Sequence, residues 1–298
     1  MAKPFIKWAG GKAQLLEQLE KLLPQEFGCW RNVTYIEPFV GGGAMLFFML
    51  QHFSNISRVV INDINGHLTD TYLNIKNNPD DLVYALKQIE SQYTSLMGNE
   101  AKKGYYLEMR RRFNEDHLSV VEKSAILIFL NRTCFNGLYR ENSKGNFNVP
   151  FGSYAHPSIC NEEIIYSDSV LLNQFDVTIT NEDFLKTERH IKPESPAFFY
   201  FDPPYRPLNA TSSFNSYVKE AFGDERQREL AVYCRELSRR NNVKWMLSNA
   251  DCSSKNPTDL FFEELYKGFN IHRVYASRSV NANGSKRGKL TELLITNY

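Results

Sequence analysis

Hydrophobic positions along the chain change period in a regular way. Tyr35-Ile36 reads as a short buried strand running into Glu37-Pro38-Phe39-Val40-Gly41-Gly42-Gly43, and the apolar run Ala44 to Leu50 reads as a buried helix. Arg58-Val59-Val60-Ile61 predicts a second strand ending at Asn62-Asp63, and Leu68 to Ile75 has helical spacing. Strand, glycine loop, helix, strand is the unit of a parallel α/β sheet.

From about Asn77 to Gln174 that alternation stops. Leu82, Leu86 and Ile89 form a helical stripe, and Val120, Ala125, Leu127, Ile128 and Leu130 lie in a strongly apolar helix. A Gly/Asn-rich stretch follows between Asn136 and His156, with β-prone pieces such as Phe147-Asn148-Val149. The block predicts a mainly helical insert with a loop or hairpin at its tip. Strand character returns at Val177-Thr178-Ile179, Ala197 to Phe201, Val243 to Leu247, Ile271 to Ala276 and Leu290 to Thr296, with an amphipathic helix from Glu225 to Arg240. The expected division is 1–76, 77–174 and 175–298, the outer two parts forming one α/β core.

Composition narrows the class without naming it. Of 298 residues 42% are hydrophobic and 23% charged, an ordinary globular balance that excludes a disordered chain. No apolar run is long enough for a membrane span, and Met1-Ala2-Lys3-Pro4-Phe5 lacks the apolar core of a signal peptide, so a cytoplasmic protein is expected. Cys29, Cys134, Cys160, Cys234 and Cys252 contain no C-x-x-C pair, which argues against a zinc site and a disulfide framework. The formal net charge is only +1, so a nucleic-acid partner requires local basic clusters. Arg110-Arg111-Arg112, Arg239-Arg240, and Arg278 with Lys286, Arg287 and Lys289 are the candidates; each alone reads more readily as a solvated face than as a phosphate track.

The sharpest chemical feature is Asp202-Pro203-Pro204-Tyr205, directly after a buried strand. The amino group of a nucleobase is a poor nucleophile because its lone pair is delocalised into the ring. A site that accepts hydrogen bonds from both N–H groups favours a more tetrahedral nitrogen. Asp202 offers a carboxylate and Pro203 a backbone carbonyl, while Tyr205 offers a flat face for a base lifted out of its stack. The bland reading is a tight strand-ending turn. The glycine loop is not a dinucleotide fingerprint, because Leu46 stands where the third glycine belongs. Asp63 ends the next strand, where an acidic side chain binds ribose hydroxyls. Gly11-Lys12 invites a phosphate-loop reading, but Ile6 and Ala13 occupy the required glycine and Ser/Thr positions.

Taken together, Phe5-Ile6-Lys7-Trp8-Ala9-Gly10-Gly11-Lys12, the Glu37 to Gly43 loop, Ile61-Asn62-Asp63-Ile64-Asn65, Asn136-Gly137-Leu138-Tyr139-Arg140, Phe147 to Gly152 and Asp202 to Tyr205 closely resemble, in that order, the Dam-type DNA adenine-N6 methyltransferases. The likeness runs from Phe5 to Tyr298. It implies a Rossmann-like S-adenosylmethionine-dependent methyltransferase core with an inserted, mainly helical target-recognition domain. It implies a cofactor pocket built from Trp8, Lys12, Glu37, Phe39, Asp63, Asp183, Phe184 and Asp202, with Asp202, Pro203 and Tyr205 catalytic and no metal. Asp183 has a second reading as a helix cap.

Relatives of this type read GATC in duplex DNA. The resemblance therefore places Lys7, Phe135, Asn136, Leu138, Tyr139, Arg140, Pro150 and Tyr154 at the DNA, with Arg140 a guanine reader and Phe135 or Tyr139 a wedge beside the flipped base. Ser212, in the polar stretch after the catalytic turn, and Lys286 and Arg287 are expected at the phosphate backbone. Ser153 departs from the pattern, since relatives commonly carry arginine there, which loosens the GATC expectation. The family includes solitary enzymes and members of restriction systems, so a cognate endonuclease without a stable complex is one expectation. A methyltransferase acting on RNA amino groups, or on a DNA target other than GATC, is the alternative.

Overall fold

The computed structural model describes residues 1–8, 10–206, 222–276 and 290–298. After helix α1 (Leu16–Glu20), strand β1 (Val33–Glu37) is buried at every position. Helix α2 (Ala44–His52), strand β2 (Ile56–Asn62) and helix α3 (Gly66–Asn77) follow. Helices α4 (Pro79–Ser95), α5 (Asn99–Glu115), α6 (Val120–Thr133) and α7 (Glu162–Asn173) then separate β2 from β3 (Asp176–Thr180). The chain closes with β4 (Ala197–Phe201), α8 (Asp224–Leu237), β5 (Val243–Ala250), α9 (Phe261–Leu265), β6 (Asn270–Ala276) and β7 (Leu290–Thr296).

Among the described residues the seven strands form one sheet in the order β3-β2-β1-β4-β5-β7-β6. All neighbouring pairs from β3 to β5 are parallel, and β7 runs antiparallel between β5 and β6. Alternation along the strands divides two cores. Tyr35, Val59, Phe198, Tyr200 and Met246 face one cluster, whereas Ile36, Val60, Phe199, Phe201 and Trp245 face the other. The first packs against α1 to α7, the second against α8 and α9. Burial on both faces explains the continuous apolar run of β4.

The chain proceeds outward from β1 through β2 to β3, then returns to lay β4 on the other side of β1. The sheet reverses its winding between β1 and β4. In open α/β sheets, ligands bind beyond the carboxyl ends of the strands at such a point. Here those ends deliver the glycine loop and Asp202.

The helical block is not insulated from the sheet. Leu82, Leu86, Leu127 and Phe129 join the same cluster as Tyr35 and Val59. Helix α6 is buried around its whole circumference from Ser124 to Asn131 because α3, α4 and α5 all pack on it. Its start is fixed by a capping box between Ser119 and Glu122. Helix α5 buries only Tyr106, Met109 and Phe113, and α7 buries Asp168 and Ser169 with its apolar residues. Those thin or polar stripes explain why the sequence pattern singles out neither helix. The β-prone piece Phe147-Asn148-Val149 forms no strand; the loop closes through isolated bridges, Glu141 with Phe147 and Cys134 with Phe151.

Candidate active site

The buried run of β4 carries Asp202 to the carboxyl edge of the sheet, where Lys12 meets it. Lys12 Nζ lies 2.8 Å from Asp202 Oδ1 and donates to the Gly10 carbonyl at 2.6 Å. The same ammonium stands 4.6 Å from the Tyr205 ring centroid and 3.8 Å from Glu292 Oε2. With its side chain only 2% exposed, Lys12 is itself shielded from water, which strengthens these interactions. Burial pushes the Asp202 carboxyl above its ordinary range, the Lys12 ammonium opposes that shift, and Glu292 adds to it.

The turn after Asp202 is anchored on several sides. The Tyr205 hydroxyl donates to Glu292 Oε2 at 2.6 Å. Gln227 Nε2 donates to the Pro204 carbonyl at 3.0 Å, and Asn249 Nδ2 donates to Gln227 Oε1 at 3.1 Å. Gln227 and Asn249 are fully buried, so this relay of amides is shielded from competing water. Arg206 grips Asp224 with Nε and Nη2 and Asp259 with Nη1.

Across the switch point, two glycines of the loop have left-handed backbones, Gly41 at φ +50° and Gly43 at φ +77°. Trp8 rests against Gly41 and Gly42 where any side chain would collide with it. The Asp63 carboxylate accepts the Gly41 and Asn65 amides, each at 3.0 Å, so it shapes the loop that it faces. Burial raises the Asp63 carboxyl, and the backbone amides pull it back. Glu37 is buried beneath the loop and accepts the Tyr35 hydroxyl at 2.9 Å; burial holds its carboxyl well above the usual range.

Phe39, Phe184 and Phe222 form an aromatic group with centroids 5.3 to 5.9 Å apart. Asp183 accepts the Leu185 amide as a cap and pairs with Arg226. Its carboxylate therefore has a structural task beside any ligand contact.

A second group adjoins the first through Trp8, whose ring stacks on Tyr139 at 5.6 Å and 28°. Tyr139 also packs edge-on against Phe147 and donates its hydroxyl to Glu141. Of the two aromatic wedge candidates, Phe135 is the outward one, at 50% exposure. Asn131, at the end of α6, accepts the Lys7 amide and donates to the Lys7 and Gly137 carbonyls, tying the N-terminal segment to the loop after α6. The Lys7 ammonium lies 4.8 Å from the Tyr154 ring, and the Asn136 amide donates to the Tyr154 hydroxyl. The Pro150 carbonyl accepts the Phe135 amide, and half-buried Leu138 packs on the core beside them. Arg140 is held through Nε to Asn148 Oδ1 at 2.7 Å and through Nη2 to the Asn148 carbonyl. Ser153 donates its hydroxyl to Asn99 at the start of α5.

Ser212, Lys286, Arg287 and the basic cluster around them lie outside the described residues. The other basic clusters are engaged within the protein. Arg111 pairs with Glu108, Glu115 and Asp116, Arg110 donates to the Val149 carbonyl, and Arg240 pairs with Glu188. Glu292, Gln227 and Asn131 escaped the sequence reading. Glu292 carried a usable signal, a single acid inside the apolar strand Leu290 to Ile295; the other two had none.

Among the described residues no helix is long and apolar enough to cross a membrane. The model of the D12 class N6 adenine-specific DNA methyltransferases matches residues 8–280. The chain is 46% identical to the type II methyltransferase M.MjaIII of Methanocaldococcus jannaschii, covering 99% of both proteins. It is 40% identical to the type II methyltransferase M1.LlaDCHI of Lactococcus lactis subsp. cremoris, over 99% of this chain and 95% of that one. Identity to the DNA adenine methylase of Haemophilus influenzae is 34%, over 98% of this chain and 92% of that protein. The chain therefore belongs to the D12 class of N6 adenine-specific DNA methyltransferases.

Proposed function

We propose that the protein transfers a methyl group from S-adenosylmethionine to the N6 amine of an adenine flipped out of duplex DNA, within GATC. The observation that carries this reading is the meeting of Lys12, Asp202 and Tyr205 at the sheet's switch point, flanked by the Trp8–glycine loop. The donor set suits that cofactor. Asp63 offers a carboxylate to ribose hydroxyls, Phe39 and Phe184 offer apolar faces to a base, and Trp8, Lys12 and Glu37 line the approach. Asp183 closes the aromatic end from its capping position. When bound, the cofactor supplies an electrophilic methyl group on a sulfonium.

The chain's own residues prepare the nucleophile. The Asp202 carboxylate and the Pro203 carbonyl accept the two amine hydrogens, which draws the nitrogen lone pair out of ring conjugation. Lys12 holds Asp202 in place and favours its ionised form against the effect of burial. Tyr205 gives the extruded adenine a face on which to stack. The amine proton is released after the methyl is in place.

Residues 77–174 then serve as the target-recognition insert, between a cofactor-motif part, 1–76, and a catalytic part, 175–298. Arg140, steadied by Asn148, reads guanine, and Lys7 reaches a second base edge. Phe135 fills the gap left by the flipped base, with Asn136, Leu138, Tyr139, Pro150 and Tyr154 shaping the loop that presents it. Ser212, Lys286 and Arg287 complete the phosphate contacts. Purified protein should transfer labelled methyl groups from S-adenosylmethionine to unmethylated duplex DNA containing GATC and protect it from cleavage blocked by adenine methylation there. Transfer to RNA alone would overturn the substrate, and transfer to duplexes lacking GATC would overturn the target.

A further inference from the structure

We infer that Glu292 is a positioning residue of the methyl-transfer site, acting through the Tyr205 hydroxyl to fix the ring on which the target base stacks. The inference rests on the stacking role of Tyr205 proposed above.

Glu292 lies in β7, 9% exposed, with Ala250 and Val274 as its partners on the flanking strands. A carboxylate held between apolar strand neighbours needs specific partners. Its close contact is the Tyr205 hydroxyl at 2.6 Å. Among the described residues Lys12 is the one cation within ion-pair reach, and at 3.8 Å it is the weaker contact, since Lys12 lies nearer Asp202. Glu292 is thus committed to the tyrosine more than to the lysine.

Tyr205 is consequently fixed at both ends. Its backbone belongs to the turn that Gln227 holds at Pro204, and its phenol oxygen is tied to Glu292. Lys12 over the ring removes further freedom. A stacking surface with no remaining rotation spares the complex the entropy of ordering it when the base arrives. An acceptor at this position is what the geometry requires, and a glutamine oxygen can also accept from the phenol.

The test compares Glu292→Ala, Glu292→Gln, Tyr205→Phe and both double variants. The readouts are single-turnover methyl transfer and the fluorescence of 2-aminopurine placed at the target adenine. Glu292→Ala and Tyr205→Phe should each slow transfer roughly tenfold and shrink the fluorescence rise, and together they should cost no more than one alone. Glu292→Gln should restore transfer to within a few-fold of the unmodified protein, and that rescue should vanish when Tyr205→Phe is added. Additive losses, or a Glu292→Gln variant as slow as Glu292→Ala, would overturn the inference. Where Glu292→Ala does not fold, Glu292→Gln with and without Tyr205→Phe decides alone: a Glu292→Gln variant slowed roughly tenfold or more, or a Tyr205→Phe change that costs nothing in the Glu292→Gln background, would overturn it. Tyr205→Ala separates the two readings. If it leaves turnover intact the stacking role fails; if it abolishes turnover while the Glu292 and Tyr205 losses add, only the Glu292 assignment fails.

Discussion

The Trp8 indole stands so close to Gly41 that a Cβ on the glycine would lie 2.7 Å from the ring nitrogen. Gly41→Ala therefore imposes two costs, displacement of Trp8 and a left-handed backbone worth about 1–2 kcal/mol for an L-residue. S-adenosylmethionine affinity, measured by calorimetry, should fall more than tenfold, an order-of-magnitude expectation from the linked loss of loop and ring geometry. Gly42→Ala, whose Cβ would lie 3.0 Å from the Trp8 Cβ without a positive φ, should cost less. The reverse ranking would separate Trp8 from the pocket.

If Asp202 accepts the amine hydrogens as proposed, its ionisation should set the acid limb of the reaction. Burial raises its carboxyl above the ordinary range, and the ionised form is the better acceptor of amine hydrogens. Single-turnover rates should decline as pH falls through an inflection above that of a free carboxylate. Lys12→Met removes the cation that lowers this carboxyl, so the inflection should move further up at saturating cofactor. An inflection that stays put or moves down would dissociate Lys12 from the ionisation of Asp202. Asp202→Ala itself should lower the rate by roughly 10²–10⁴-fold with the melting transition retained.

Arg140 and Arg111 should behave oppositely on DNA. Arg140→Ala is expected to relax discrimination at one base pair by about 1–3 kcal/mol, read from competition between GATC and singly altered duplexes. Asn148→Ala, which frees the guanidinium, should produce a weaker form of the same change. Arg111 is engaged by Glu108, Glu115 and Asp116, so Arg111→Ala should leave the salt dependence of DNA affinity unchanged. A shallower salt slope in that variant would identify it as a phosphate contact.

Asp168 is buried in α7 with one carboxylate oxygen accepting the Lys3 amide and the other unpartnered among the described residues. Burial pushes its carboxyl up to about 8. A raised folded value means that the stability it contributes is present below about pH 4 and is lost as pH rises toward about 8. The melting temperature of the unmodified protein should therefore fall across that interval relative to Asp168→Asn. Parallel melting curves would mean that the carboxylate is paired or hydrated in solution.

The fold was readable where burial is two-sided or strongly periodic. The β4 run and the strongly apolar α6 announce themselves, because nothing but a core suits such segments. Helix α5 did not, since Tyr106, Met109 and Phe113 are a thin stripe in a charged segment, and their cover comes from distant pieces of chain, α6 through Phe129 and the loop residues Phe147 and Phe151. In the site, Lys12 and Asp202 lie 190 positions apart and were legible only as separate motifs; their 2.8 Å contact depends on the switch point. Glu292 and Gln227 act through single contacts to the turn, and one contact leaves no pattern along a chain.

The placement of β7 bears on how the protein comes into being. β6 precedes β7 in the chain yet reaches the sheet only through it, and β5 lacks its antiparallel neighbour until then. During synthesis, β1 to β5 can assemble while β6 waits, and Tyr205 has no carboxylate to hold it until residues 290–296 emerge from the ribosome. The stacking geometry proposed for Tyr205 is therefore complete only once β7 has joined the sheet, and a chain that stops before residue 290 is expected to lack it even when it carries every one of the amino-terminal motifs.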